Sequence, residues 1–303
     1  MHRRDAASAS RGSKVTPAQR IAAEFATSRV ALAGFALLAL VLLAAALAPW
    51  ISPQDPYDLA RLDLLDSRLP PGARSAAGTV YWLGTDDQGR DMLSAILYGL
   101  RTSVAVGFAS TALGLTIGVS LGLAAAWLGG WLDALLMRLA DLQLSFPSIL
   151  IALVLLAVLG QGLDKIIVAL VAVQWAYYAR TARAAALVER RKEYIDAAVA
   201  LALSNARIIF RHLLPNCLPP LLVLATVQVA AAITLEATLS FLGLGLPITQ
   251  PSLGLLISNG FNYLLSGHYW ISVFPGIALV LAVVSINLVA DRLQDVLDPH
   301  ERR

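Results

Sequence analysis

Few side chains in this sequence could carry out chemistry, and they do not group into an active site. The four histidines are scattered, and no two have the helical spacing of paired metal ligands. None of the three lysines follows a glycine, so the sequence lacks the phosphate-binding loop of an ATPase. No nucleophile stands beside a base. We therefore predict no catalytic residue, no metal site and no cofactor in this chain.

One charged, helix-forming stretch lies between long apolar runs, and it reads EYIDAAVALALSNARIIFRHLLPN. Its first part favours a short helix, and Ser204 can cap a second helix that runs to Leu214 before Pro215. Exposed charges are usually only a solvated face, but these could also form ion pairs with a soluble partner. The stretch is predicted to emerge from a membrane where such a partner can reach it.

The elements around this stretch are membrane spans. The chain is 58% hydrophobic and 14% charged, with a mean hydropathy of +0.70, which is too little charge to cover a soluble globule of this length. Uncharged runs of about 20 residues match the bilayer core. We predict an all-α integral membrane protein with six transmembrane helices, at residues 30–49, 102–132, 142–163, 166–187, 213–235 and 271–290.

Basic residues predict the orientation of these spans. With the N-terminus inside, only six of the 23 lysines and arginines fall outside, as the positive-inside rule requires. Both termini are then cytoplasmic, and the net charge of +3 reflects topology, with no indication of nucleic-acid binding. The first apolar run is longer than a signal-peptide core, so we expect an uncleaved anchor.

Two features lie inside predicted spans. Gly114, Gly118 and Gly122 form a ladder on one helix face, which predicts close packing against another helix of this chain or of a partner. Glu236 is the one acid in the fifth span, near its outer end. It either hydrogen-bonds to a neighbouring helix or the headgroups, or lines the outer mouth of a pathway, where its charge would favour a cation or a peptide amino terminus.

The charged stretch resembles the cytoplasmic coupling loop of binding-protein-dependent ABC importers. Asp196-Ala197-Ala198 and the closing Leu214-Pro215 match the family pattern, and Arg211-His212 matches its peptide and nickel subgroup. Ala202 stands where the family has glycine. The resemblance implies a coupling loop at about 188–216, whose ATPase-coupling residues are Glu193, Tyr194, Asp196, Ala197, Ala198, Ala202, Ser204, Arg207, Arg211, His212, Leu214 and Pro215.

A second segment, WLGTDDQGRDMLSAILYGLRTSVAVG, resembles the family sequence that leads into the second span. Thr85 or Asp86 can cap a helix start, and Gly89 permits a tight turn. We predict an extracytoplasmic elbow, either purely structural or in contact with substrate, and a solvated loop over 53–80. The elbow residues are Gly84, Thr85, Asp86, Gly89, Arg90 and Asp91.

Further matches, in EATLSFLGLG and NLVADRLQDVLDP, extend the resemblance over about residues 30 to 300. The chain is thereby similar to the C-type permease subunit of dipeptide, oligopeptide or nickel importers, with a type I ABC importer fold. The resemblance implies that the chain divides into four parts: a cytoplasmic segment 1–29, a first helix and outer loop 30–101, a permease core 102–292 and a cytoplasmic tail 293–303.

The resemblance implies a multi-pass protein of the bacterial inner membrane that needs partners. These are a second homologous permease, two ATP-binding subunits that hold ATP and Mg²⁺, and an extracytoplasmic substrate-binding protein. Di- or oligopeptides are the expected cargo, with nickel or another peptide-like solute as the alternative. An ion-coupled secondary transporter would have several ionisable residues within spans and an internal repeat, and an enzyme would have clustered catalytic groups; the sequence shows neither.

Overall fold

The computed structural model describes residues 23–58, 62–75 and 78–297. These ranges are mostly helical, and a single antiparallel hairpin pairs β1 (Ala73–Arg74) with β2 (Val80–Tyr81). Short 3-10 turns cover Leu64–Asp66 and Leu264–Ser266. The helices are α1 (Arg29–Ile51), α2 (Met92–Leu128), α3 (Gly130–Leu144), α4 (Ser148–Leu159), α5 (Leu163–Glu189), α6 (Glu193–Ala200), α7 (Asn205–Ile208), α8 (Leu214–Phe241), α9 (Leu253–Phe261) and α10 (Trp270–Leu297).

Four helical stretches among the described residues are long and apolar enough to cross a membrane: α1, α2, the continuous Asn205–Phe241 and α10. The pair α3 and α4 would make a fifth span if the two together count as one. Helix α5 is also long enough, at 27 residues, but it carries Gln174 near its middle and Arg180 and Arg183 in its second half. Length and composition thus support four or five of the six predicted spans.

The predicted span 142–163 is wrong as one straight helix. Residues up to Leu144 belong to α3, the chain breaks around Pro147, and α4 leaves at an angle of 94°. Proline has no backbone N–H and disfavours helical backbone in the residue before it, so the helix ends ahead of it. Pro147 itself has an extended ψ of 126°.

The predicted span 102–132 also needs correction, because α2 begins ten residues earlier and ends sooner. Asp91 caps its start by accepting a hydrogen bond from the Ser94 amide at 2.8 Å. The helix ends where Gly129 and Gly130 take positive φ angles of 65° and 59°, which glycine adopts without steric cost. Helix α2 therefore includes a stretch that the sequence placed in the elbow.

The glycine ladder packs α2 against α5 of the same chain. A Cβ added at Gly118 would lie 2.5 Å from both the Trp175 carbonyl oxygen and the Tyr178 Cβ, and one at Gly114 would lie 3.2 Å from the Gln174 Cβ. The distance at Gly118 leaves no room for a side chain, and the one at Gly114 is tighter than an ordinary contact. The prediction of close helix packing at this ladder is confirmed, and it positions α5 along the length of α2.

The helices define two ends of the bundle. The coupling end contains α6, α7 and the last turns of α2, α5 and α10; the elbow end contains the start of α2 and α9. At the coupling end Arg292 donates hydrogen bonds to the Glu24 carbonyl at 2.5 Å and to the Thr27 hydroxyl at 2.8 Å. Both ends of the described chain therefore meet at the coupling end. Residues 1–22 and 298–303 of the predicted terminal segments lie outside the described residues.

The predicted solvated loop 53–80 is more ordered than expected in its described part. Asp66 is buried beneath the β1–β2 hairpin, where the Tyr81 hydroxyl donates a 2.8 Å hydrogen bond to its carboxylate. Burial and this bond raise the pKa of Tyr81 to about 12. The loop thus forms a small cap over the elbow end.

Candidate functional site

The coupling segment, residues 188–216, forms two short helices at one end of the bundle. Helix α6 begins with Glu193 and Asp196 in its first turn, where negative charge is favourable at a helix N-terminus. A tight turn follows, and Ser204 caps α7 by accepting a hydrogen bond from the Arg207 amide at 3.4 Å. The cap predicted at Ser204 is confirmed.

The turn between these helices places Ala202 in a left-handed conformation, with φ of +52°. The Ala202 amide donates to the Val199 carbonyl at 2.9 Å, and the Leu203 amide donates to the Ala198 carbonyl at 3.2 Å. These two bonds form a Schellman motif, in which glycine is the usual residue at the position of Ala202. The chain therefore turns as sharply as with glycine, at a conformational cost of about 1 kcal/mol for an L-residue.

The second coupling helix was predicted to end before Pro215, but it continues past that residue. Helix α7 continues through a π-helical turn at Ile209–Leu213 directly into α8, so Pro215 lies in the first turn of that long helix. The Leu214 amide donates to the Ile209 carbonyl, five residues back. Proline is tolerated in the first turn of a helix, where its missing N–H would have no partner. The coupling segment is thus continuous with a membrane helix.

A small apolar cluster holds α6 against the bundle. Ile195, Ala198 and Ile208 are buried together, with Trp127 and Leu203 packed against them. Trp127 belongs to α2, so the cluster joins both coupling helices to a span. Ala198 therefore packs inward, although the sequence grouped it with Ala197, which is exposed.

Tyr194 links α6 to two long helices. Its hydroxyl donates to the Glu189 carboxylate at 2.8 Å and accepts from the Asn216 amide at 3.1 Å. Glu189 ends α5, and Asn216 lies near the start of α8. Burial and the bond to Glu189 raise the pKa of Tyr194 to about 12, so the hydroxyl keeps its proton at neutral pH. A displacement of α6 would therefore pull on both α5 and α8.

The outer face of the coupling segment consists of exposed side chains. Large apolar side chains stand exposed there, among them Leu201, which is 75% exposed, Val199 and Phe210. Exposed apolar groups beside charged ones are typical of a protein-binding surface. Among the predicted coupling residues, His212 and Leu214 are half-buried, and the exposed ones include Glu193, Asp196, Ala197, Ala202, Ser204, Arg207, Arg211 and Pro215.

Two arginine contacts near this segment were missed from the sequence. Arg190 donates hydrogen bonds to the Ala126 and Trp127 carbonyls at 2.7 and 3.0 Å, which caps the end of α2. Arg183 forms a two-bond ion pair with Asp133 at 2.5 and 2.6 Å. Neither partner could be identified from spacing, because each lies on another helix. Arg190 is therefore occupied within the chain.

The elbow residues do come together, and they are buried. Asp86 accepts hydrogen bonds from the Arg90 side chain at 2.6 Å and from the Arg90 amide at 2.9 Å, and both side chains are almost fully inaccessible. Arg90 also donates to the Ile248 carbonyl. The turn at Gly89 has φ of +76°, which confirms the tight turn predicted there.

The helix cap in the elbow differs from the prediction. Asp91, rather than Thr85 or Asp86, caps α2, because the tight turn carries the chain past those two residues before the helix starts. Thr85 instead accepts a hydrogen bond from the Leu69 amide at 2.8 Å, and its carbonyl accepts one from the Trp270 indole at 3.0 Å. Gly84 lets the Leu69 backbone approach closely. These contacts give the elbow a structural role, and contact with substrate stays a prediction.

Glu236 lies between α2, α8 and α9 and is fully buried. The Ser103 and Ser240 hydroxyls each donate a 2.8 Å hydrogen bond to its carboxylate, one to each oxygen. Ser103 belongs to α2, so the acid connects two long helices. Glu236 thus hydrogen-bonds to a neighbouring helix, which is one of the alternatives predicted for it. A role at the outer mouth of a pathway stays a prediction.

Comparisons with known proteins agree with this geometry. Residues 114–303 match the family described as binding-protein-dependent transport system inner membrane component, and residues 16–71 match the N-terminal TM domain of oligopeptide transport permease C. The chain is similar to the dipeptide transport system permease protein DppC of Haemophilus influenzae, at 37% identity over 94% of this chain and 95% of the relative. It is also similar to the di/tripeptide permease DppC of Pseudomonas aeruginosa, at 36% identity over 94% and 92%.

A solved structure shows the same fold. The inward-facing methionine ABC transporter MetNI contains a chain that superposes with a TM-score of 0.53 at 24% identity, covering 68% of this chain and 97% of that one. The family match, the relatives and the exposed coupling segment point to one class of protein. This chain belongs to the binding-protein-dependent ABC importer permeases, as one of their inner membrane components.

Proposed function

We propose that this chain is the C-type permease subunit of an ATP-driven importer of di- or oligopeptides in the bacterial inner membrane. It would cross the bilayer six times, as α1, α2, the bent pair α3 and α4, α5, α8 and α10. The peptide cargo is supported by relatives at 35–42% identity that are dipeptide or peptide transport permeases. Nickel or another peptide-like solute is the alternative within the same family.

The observation that carries the proposal is the exposed coupling segment, anchored on one side and open on the other. Partner ATPases bind ATP and Mg²⁺ and dock on its outer face, since this sequence has no phosphate-binding loop of its own. A second homologous permease completes the membrane unit, and an extracytoplasmic binding protein delivers the cargo at the elbow end. The coupling end, with both termini, faces the cytoplasm.

Alternating access follows from the attachment of α6 to α5 and α8. When the ATPases close on ATP, they move the two coupling segments of the permease pair together. The Tyr194 hydrogen bonds and the Ile195 cluster transmit this motion to the membrane helices. The pathway then opens toward the elbow end, and hydrolysis resets it. No step requires reaction chemistry in this chain.

Sidedness tests the assignment of the coupling end. In a Cys217→Ala variant, which removes the lone cysteine, single cysteines replace Leu65 in the outer loop and Leu201 in the coupling segment; the two are 85% and 75% exposed. An impermeant maleimide should label the Leu65→Cys protein in intact cells, and the Leu201→Cys protein only after the cells are opened. Co-expressed ATPases should then protect Leu201→Cys. Labelling of Leu201→Cys in intact cells would overturn the topology.

Energy coupling tests the function itself. The chain is purified with both ATPases and the second permease, reconstituted in proteoliposomes, and supplied with the binding protein and tritiated dialanine. Uptake should require ATP on the side of the membrane where the ATPases lie. It should not respond to an imposed proton gradient. Uptake by the chain alone, driven by a gradient without ATP, would show a secondary transporter instead.

A further inference from the structure

A continuous groove follows one face of α8, between α5 and α10. It consists of two cavities, of about 500 Å³ toward the elbow end and about 670 Å³ toward the coupling end, and Val227 lines both. Along α8 the lining runs from Asn216 to Thr238. At about 1.5 Å per residue this is roughly 33 Å, close to the thickness of a bilayer core.

The cavity toward the elbow end is mostly apolar, with several polar side chains and no charged one in its lining. Its polar lining residues are Ser148, Gln174, Tyr177, Gln228, Thr234, Thr238 and Asn287, and no acidic or basic side chain lines it. The nearest acidic residue along α8, Glu236, hydrogen-bonds instead to Ser103 on α2. Polar side chains at membrane depth are costly to place and mark pathways for solutes. The chemistry of this lining therefore indicates what passes along it.

Gln228 is the residue best placed to bind a passing solute. Its side chain is only 9% exposed, lines the cavity, and makes no hydrogen bond to any side chain or backbone group within residues 23–58, 62–75 and 78–297. A buried amide normally has partners. Asn287 faces the same cavity from α10. Each amide offers donors and an acceptor, which together match the N–H and C=O of a peptide bond.

The threonines on the same face provide acceptors only. The Thr234 and Thr238 hydroxyls donate their protons to the carbonyls of Ala230 and Thr234, each at 2.8 Å, which leaves the oxygen lone pairs toward the groove. From Gln228 to Thr238 the face extends about 15 Å, the length of four or so extended peptide residues. Metal ions would require carboxylate or imidazole ligands, and this lining offers neither.

We propose that this groove is the chain's half of the translocation path, and that Gln228 and Asn287 bind the main chain of the transported peptide within it. The inference rests on the proposed function and narrows it, because the uncharged lining of the elbow-end cavity recognises peptide bonds and is indifferent to side-chain charge. The homologous permease closes the open side of the groove. Glu189 and Asn216, which line the coupling-end cavity, connect it through Tyr194 to the coupling segment.

The path is tested by cysteine modification in the complete reconstituted complex. In the Cys217→Ala background, Val227→Cys should react with a small methanethiosulfonate reagent, and the reaction should lower dialanine uptake at least tenfold. Leu222→Cys, on another face of α8 and outside both cavities, is the matched control and should keep its uptake after treatment. Equal loss of uptake at the two positions would contradict the assignment of the groove to the translocation path.

Peptide contact is tested by Gln228→Leu and Asn287→Leu, with Gln250→Leu outside the groove as the control. Each groove variant should lower dialanine uptake about tenfold, the loss expected for one or two hydrogen bonds, while complex assembly and ATP hydrolysis stimulated by the loaded binding protein persist. Gln228→Asn should recover part of the uptake. Wild-type uptake by both leucine variants would reject the contact. Uptake that is independent of ATP would contradict the proposed function. Uptake that requires ATP but is unchanged in the leucine variants would contradict only the peptide contact.

Discussion

The elbow and the coupling segment are both charged, turn-containing stretches at the ends of the same bundle. Their charged side chains differ in exposure and in partners. In the elbow, Asp86 and Arg90 are buried and bonded to each other. In the coupling segment, Asp196, Arg207 and Arg211 are exposed. The elbow thus uses charge to fix its own fold, whereas the coupling segment leaves its charge for another molecule.

Their turns differ in the same way. The elbow has glycine at each of its positive-φ positions, Gly84 and Gly89, where neighbouring backbone leaves no space for a side chain. The coupling turn uses Ala202 in the left-handed region, and its segment is held by one small cluster and the hydrogen bonds of Tyr194. A rigid segment suits a fixed scaffold, and a segment with few anchors suits a part that moves with a partner.

Breaking the elbow ion pair should have the largest effect. Arg90→Met leaves the Asp86 carboxylate buried without its partner, and such a loss costs about 3–5 kcal/mol. We expect little folded protein in detergent extracts, measured by size-exclusion chromatography and thermal unfolding. Arg207→Met removes an exposed arginine and should change the unfolding free energy by no more than about 0.5 kcal/mol. Equal stability of the two variants would remove the contrast between the segments.

Breaking α6 should abolish coupling without preventing insertion. Ala198→Pro removes a helix donor, costs about 3 kcal/mol locally, and disturbs the cluster around Ile195. We expect normal membrane levels, weak ATPase association and no uptake. Asn205→Pro is the control, because position 205 follows the Ser204 cap, whose ψ of 144° already suits a following proline. Uptake that survives Ala198→Pro would make the segment an ordinary loop.

Removing one hydroxyl should separate hydrolysis from transport. Tyr194→Phe keeps the ring but loses the bonds to Glu189 and Asn216, which are worth about 1–3 kcal/mol together. Complexes should assemble and hydrolyse ATP while dialanine uptake falls several-fold. Tyr269→Phe, an exposed tyrosine at the elbow end, should behave as wild type. A parallel fall of hydrolysis and uptake would mean that Tyr194 only stabilises the segment.

The sequence predicted the membrane class, the family and the Ser204 cap, because composition, motif and capping chemistry are local properties. It also identified both end segments as structured. It did not predict which segment buries its charge, since Asp86 and Arg90 meet four residues apart only once Gly89 has turned the chain. The partners of Arg183 and Arg190 lie 50 or more residues away, where spacing gives no information.

Helix boundaries were the weakest predictions, for a physical reason. Hydropathy marks where a helix can enter lipid, but Pro147 and Asp91 decide where α4 and α2 begin. Pro215, by contrast, looked like a helix end and is not one, because a π-helical turn absorbs it. The groove along α8 was invisible to the sequence, since its polar residues are spaced among apolar ones and combine only when α5 and α10 flank them.

Relaxing the coupling turn should have the smallest effect, and it tests whether that turn is held under strain. Ala202→Gly removes the left-handed penalty of an L-residue, about 1 kcal/mol, and keeps the Schellman bonds of residues 202 and 203. Hydrogen exchange at the Leu203 amide should slow about fivefold, with uptake unchanged. Ala200→Gly is the matched control: the same change within α6 lacks the positive φ and costs about 1 kcal/mol of helix propensity, so exchange should accelerate. If both glycines accelerate exchange, the turn at Ala202 carries no strain.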